Sequence, residues 1–164
     1  MMSVRAVTAK GWSQWRLLRR QALCESPAAL GATLEGWSGD GDTEERWRQR
    51  LDEVPVNLVA EKDGASVGMV SVTETAHGLA EIISMRVSLD ARGCGAGDAL
   101  LRAAVHRARA AGASRVTLNL RVNNEHAAHL YRRAGFVDVG SATPPDAPNL
   151  ERRMELDLRQ VRSG

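Results

Sequence analysis

Apolar residues recur along the chain with two alternating periods, and the switches between them mark its elements. Val4 to Val7 opens as a short strand. Trp12, Trp15, Leu18 and Ala22 then follow at helical spacing, predicting a helix from about Trp12 to Cys24 with one apolar stripe. Pro27 stands just beyond its end, where a proline is tolerated. The stretch from Gly31 to Gly41 is glycine-rich and reads as a loop. Asp42 followed by Glu45 resembles a capping box, and Trp47 and Leu51 share one face of the helix behind it.

After Pro55 the period shortens to two. Val56 to Glu61, Asp63-Gly64 and Val67 to Val72 predict a hairpin, because Asp-Gly accepts the positive φ angles of a tight turn. A third strand runs from Ala80 to Val87. A long helix from Gly95 to about Ala111 turns Leu100, Leu101, Ala104, Val105 and Ala108 inward and stops at Gly112. Val116, Leu118, Leu120 and Val122 alternate as a strand, Asn124 to Ala134 is a helix ended by Gly135, and Phe136 to Val139 returns to strand. Ser141 to Asn149 holds three prolines and must be a loop, and Leu150, Met154, Leu156 and Leu158 form a last strand. The order β-α-α-β-β-β-α-β-α-β-β is an α/β mixture on one largely antiparallel sheet. With 164 residues and no internal repeat or linker, it makes one domain spanning 1–164.

The chemistry concentrates between the third strand and the long helix. Arg92, Gly93, Cys94, Gly95, Ala96 and Gly97 alternate glycine with other residues, so the backbone turns tightly with its N–H groups on one side. The helix behind adds unsatisfied amides and a positive dipole end, including those of Ala96, Gly97 and Asp98. Such a loop suits a pyrophosphate, and Arg92 supplies a fork of donors for phosphate oxygens. A dinucleotide-binding turn of the Rossmann type does not fit, because the third glycine would have to stand at Asp98. A P-loop does not fit either, since no Gly-Lys-Ser/Thr occurs.

Arg92, Gly95 and Gly97 match the Q/R-x-x-G-x-G/A loop of the GCN5-related N-acetyltransferase (GNAT) family. Asn124, Ala127, Leu130, Tyr131, Gly135 and Phe136 match its second segment, N-x-x-A-x-x-L-Y-x-x-x-G-F. The chain resembles that family over nearly its whole length, most strongly from Ala80 to Val139. The resemblance implies a mixed, largely antiparallel sheet of six to seven strands flanked by about four helices. It also implies acetyl-CoA as co-substrate, no metal, and transfer of acetyl to a primary amine. Carried over position by position, the backbone of Met85 and Val87 would bond the pantetheine arm like an added strand. The amides from Gly93 to Asp98 would hold the pyrophosphate with Arg92, and Asn124 would touch the cofactor and cap its helix. Two positions depart from the pattern: Cys94 stands where a larger, often basic residue is common, and Asp98 is expected to point outward, away from the phosphates.

For catalysis the family resemblance points to Tyr131, the chain's sole tyrosine, beside the departing sulfur; a phenol can protonate or hydrogen-bond a thiolate. Packing against the sheet would also account for it. Glu81, in register with the base of histone-acetylating relatives, is the candidate proton acceptor, with Glu74 and His77 weaker ones and a solvated strand end the plain alternative. His126 and His129 lie three apart without a third ligand at sensible spacing, so a metal is not expected. Cys94 would sit beside the phosphates, far from the acetyl group. Trp37, in the glycine-rich loop, is expected to shape the acceptor pocket, whereas Trp12 and Trp15 read as packing.

Composition narrows the setting. A formal charge of +2 is too small to argue for nucleic acid, which is not expected as a partner, and no run approaches the ~20 apolar residues of a membrane span. Two cysteines make neither a disulfide framework nor a zinc site, so a cytoplasmic protein is expected. A small-molecule amine is the favoured acceptor. A protein lysine or N-terminal amine is the alternative, and a non-catalytic acyl-CoA sensor is a third reading from another class. Dimerisation through the last strands, common in the family, stays open.

Overall fold

A computed structural model of the chain describes residues 1–25, 35–74, 77–141 and 151–160. Pro27, residues 31–34 of the predicted glycine-rich loop, almost all of the predicted proline loop and Leu150 lie outside these residues. The observed order is β1 (Met2–Ala6), α1 (Trp12–Glu25), α2 (Glu44–Glu53), β2 (Val56–Lys62), β3 (Ala65–Glu74) and β4 (Leu79–Val87). It continues with α3 (Ala96–Ala110), β5 (Arg115–Arg121), α4 (Glu125–Arg133), β6 (Val137–Ser141) and β7 (Glu151–Asp157). The strands form one sheet in the order β1-β2-β3-β4-β5-β7-β6. Only β4 and β5 run parallel; every other neighbouring pair is antiparallel.

Alternation along the central strands divides the apolar residues between two faces. Leu58, Ala60, Val70, Val72, Ala80 and Ile82 meet Leu100, Leu101 and Ala104 of α3 and Ala128 and Tyr131 of α4. Val59 and Met69 face the other way, onto Trp15, Leu18 and Ala22 of α1 and Trp47 and Leu51 of α2. Trp15 and Trp47 are wholly buried, which settles both as core residues.

The capping box expected at Asp42 is replaced by a different arrangement. Thr43 is the N-cap of α2, its hydroxyl accepting from the Arg46 amide at 3.2 Å. The carboxylate of Asp42 instead joins the two helices. It accepts from Arg16 at 2.7 and 2.5 Å and from the Trp47 indole at 2.7 Å. Arg16 first, and Trp47 with it, hold this carboxyl well below the usual carboxylate range.

Gly68 lies in β3, paired with Val87, at the point where α3 crosses the sheet. A Cβ built there would stand 2.8 Å from Leu100 Cδ1 and 2.9 Å from the Arg86 carbonyl oxygen. Leu100 is fully buried and the carbonyl belongs to the strand ladder, so neither can move aside cheaply. Gly68→Ala is therefore expected to lower stability by about 1–3 kcal/mol. Urea unfolding should register this as a lower midpoint at unchanged m-value.

Candidate active site

β4 and β5 pair only from Leu79–Arg115 through Ala80–Val116 to Glu81–Thr117. Beyond that point they part. The cause lies in β4, where Ser84 takes a left-handed φ of 56° and the register with β3 slips between Met69 and Ser71. A bulge of this kind bends its strand and increases the local twist. β5 cannot follow, because β7 holds it along its length from Arg115–Asp157 to Arg121–Glu151.

A cleft of about 660 Å³ fills the gap. Its walls are Glu81 to Val87 on one side and Leu118 to Arg121 on the other, with α4 along the flank. At one end lies the turn into α3, with Arg92, Gly93, Gly95, Ala96, Gly97 and Asp98 all lining it. Gly93 and Gly95 hold φ angles of 82° and 90°, a left-handed conformation that a side chain would strain, and a Cβ at either would point into open space. Gly95 is the N-cap of α3, and no side chain caps the helix there. The first-turn amides therefore face the cleft with the positive end of a 15-residue helix behind them. The turn is shaped to receive an anion, and the parted strand edges beside it can take an extended arm.

Most of the residues singled out from the sequence meet in this cleft. Met85, Val87 and Asn124 line it, and the Asn124 side chain also caps α4, accepting from the Ala127 amide at 3.2 Å. Glu81 stands at the fork where pairing ends, and Tyr131 lines the same cleft. Burial raises the Tyr131 phenol to about 12 from its ordinary 10. Asp98 lines the cleft too, with its carboxylate engaged by Arg133 of α4 at 3.1 and 3.3 Å. Cys94 is part of the turn through its backbone only: its thiol donates to the Ala91 carbonyl at 2.6 Å, and its side chain is not in the lining.

Trp37 lies elsewhere. Its ring packs on Trp47 with centroids 4.2 Å apart, and the Arg46 guanidinium sits 4.0 Å over it. That places it against α2, outside the cleft lining, as are Glu74 and His77. Conversely, sequence reasoning passed over Arg86, Arg121 and Arg133, weighed His126 and His129 only as metal ligands and took Leu130 only as a motif position, yet all six line the cleft. The α4 members recur at spacings of three and four, so a single helix face carries them. Among the described residues, no three His, Cys, Asp or Glu side chains group as a metal site would need. Nor is any described helix long and apolar enough to cross a membrane.

Comparison with known proteins agrees with this geometry. The model of the acetyltransferase (GNAT) family matches residues 16–136. Comparison with curated proteins finds no match. Among solved structures, a GNAT-family acetyltransferase from Streptococcus pneumoniae superposes with TM-score 0.73 at 20% identity, covering 96% of this chain and 99% of its own. A ribosomal-protein-alanine N-acetyltransferase from Brucella melitensis gives 0.73 at 24% identity over 95% and 99% of the two chains. An N-acetyltransferase from Thermoplasma acidophilum, solved with coenzyme A, gives 0.72 at 15% identity over 96% and 99%. At these identities the likeness is one of fold, and the family match carries the rest. A sheet parted over a glycine turn, under a sequence match spanning both, belongs to the acetyltransferase (GNAT) family, whose members are acyltransferases drawing on acetyl-CoA, and this chain is one of them.

Proposed function

We propose that this enzyme moves the acetyl group of acetyl-CoA directly to the primary amine of a small-molecule acceptor, inside the cleft between β4 and β5. The observation that carries this reading is the early end of the β4–β5 ladder beside an uncapped helix N-terminus. Open strand edges at residues 83–87 suit a pantetheine arm, with the backbone of Met85 and Val87 as its partners. The amides from Gly93 to Asp98, with Arg92, suit the diphosphate. Acetyl-CoA supplies a thioester carbonyl open to attack by a neutral amine.

The chain's own residues supply proton handling. Glu81, at the fork, receives the proton that an ammonium must shed before it can attack, directly or across one water. Tyr131 keeps its proton at neutral pH, because burial holds the phenol at about 12. Handing that proton outright to a thiolate is uphill, because the phenol is then the weaker acid. Tyr131 therefore acts as a hydrogen-bond donor to the departing sulfur. The presence of both groups in one cleft favours turnover over mere sensing of acyl-CoA. A cleft folded between two strands favours a small acceptor, whereas the shared fold of ribosomal-protein-alanine acetyltransferases keeps a protein N-terminus as the second reading.

Release of free thiol across an amine panel tests the assignment. Tyr131→Phe is expected to lower kcat by roughly 10- to 100-fold, with acetyl-CoA affinity by calorimetry unchanged. Full activity in that variant would remove the residue from the mechanism. Glu81→Gln should cost about 10²-fold near neutral pH. Its rate should recover as pH rises toward the amine's own pKa, where solvent takes the proton instead. A loss equal at every pH would contradict the base role.

Tyr131 can also be titrated alone, because the chain has one tyrosine. Phenolate absorbance should rise near 12 in the folded protein and near 10 in urea. The unfolded chain then releases its proton first. Stability supplied by the neutral phenol is full below pH 10 and falls as pH climbs from there through 12. Coincident folded and unfolded curves would show the ring to be solvated.

A further inference from the structure

The face of the sheet opposite α3 carries two arginines, Arg19 buried and Arg50 half-buried, whose described partners include no carboxylate. Arg50 of α2 reaches over three strands. Its guanidinium donates to Asn57 Oδ1 at 2.9 Å and to the hydroxyls of Ser71 and Ser84 at 3.1 and 3.4 Å, and lies 5.5 Å over the Trp15 ring. Arg19, one turn beyond Trp15 on the same face of α1, is 7% exposed, and its Nη1 has no hydrogen-bond partner. The indole N–H of Trp15, fully buried, has none either.

The neighbouring charges do not answer this surplus. Asp42 is taken by Arg16, Arg20 and Trp47. Glu53, the acid nearest Arg50 in charge, is exposed on the far end of α2 and bonded to Gln49. Burial, then the charge of Arg50, lowers Arg19 to about 10, and burial lowers Arg50 as well. Buried cations with neutral partners only are costly, and an arriving anion relieves that cost. Neither guanidinium lines the cleft, and Ser84 links Arg50 to it. Ser84, which accepts from Arg50, is itself part of the cleft wall three residues from Glu81. Its bond from Arg50, at 3.4 Å, is at the outer limit of hydrogen bonding, so a charged oxygen would displace it readily.

We infer that the acceptor of this enzyme carries a carboxylate beside its amine, and that Arg50 and Arg19 receive it from the Ser84 side of the cleft. This rests on the acetyl-transfer reading above and names the chemical class of its acceptor. A forked guanidinium matches a carboxylate in two parallel bonds, whereas an uncharged amide leaves both cations unanswered.

The test compares amino acids with their amides as acceptors, and peptides beginning with Asp with peptides beginning with Asn. The first pair reads an acceptor's own carboxylate, and the second a side-chain carboxylate. In at least one pair the acid is expected to surpass its amide by roughly 10- to 100-fold in kcat/KM. Arg50→Gln and Arg19→Met should abolish that preference, and Arg50→Lys should keep part of it, with acetyl-CoA affinity by calorimetry retained in all three. Should the arginine variants fail to fold, the comparison in the unaltered enzyme still decides. Acids that are no better than amides in either pair, including no turnover with any of them, overturn the carboxylate assignment. Failure to bind acetyl-CoA would instead overturn the acetyl-transfer reading itself, so the two failures are distinguishable.

Discussion

A ladder of backbone hydrogen bonds between parallel strands normally runs as far as both strands do, and here it stops after Glu81–Thr117. Each strand is then held by its other neighbour. Val87 and Arg86 of β4 stay in register with Gly68 and Met69 of β3, while β5 is paired with β7 to its last residue. The gap is therefore built into the sheet and does not wait for a ligand to open it. A binding site that exists before its ligand arrives avoids much of the ordering cost that association otherwise carries.

The same constraint places the anion-binding end. α3 packs on β2, β3 and β4 through Leu100, Leu101 and Ala104, and Gly68 lets it approach closely. With the helix axis set by that packing, its N-terminus falls at the mouth of the gap. A Cβ at Gly97 would stand 3.2 Å from Leu130 Cδ2 on α4, and Asp98 is tied to Arg133 of the same helix, so α3 also fixes the flank of the cleft. Core packing on one face thus determines where the first-turn amides point.

Elements governed by local pattern were legible in the sequence. The order of strands and helices, the glycine turn, and the helix from Asn124 followed from periodicity and from residues whose backbone needs are specific. What governs the cleft was not. Ser84 sits in an alternating strand and carries no turn signature, yet its positive φ parts the sheet. Asp42 looked like a cap by spacing, but Arg16 from another helix claims its carboxylate. Trp37 looked like a pocket residue by its loop, yet the ring of Trp47 and the guanidinium of Arg46 hold it. In each case a partner remote in sequence outcompeted the local preference. Arg19 and Arg50 were unreadable for the same reason, since an arginine on a helix face ordinarily extends to water.

Ser84 joins the two halves of the site. A non-glycine residue in the left-handed region costs about 1–2 kcal/mol, and glycine there would relieve it. Glycine would also delete the hydroxyl that accepts from Arg50. Retaining serine accepts backbone strain in exchange for a bond from α2 to the bulge, across the face where Arg50 also holds Asn57 and Ser71. The residue that separates β4 from β5 is thus also the one whose hydroxyl accepts from Arg50. In the proposed reading, donor geometry and acceptor charge are coupled through that single side chain, so a change at the bulge would disturb both together.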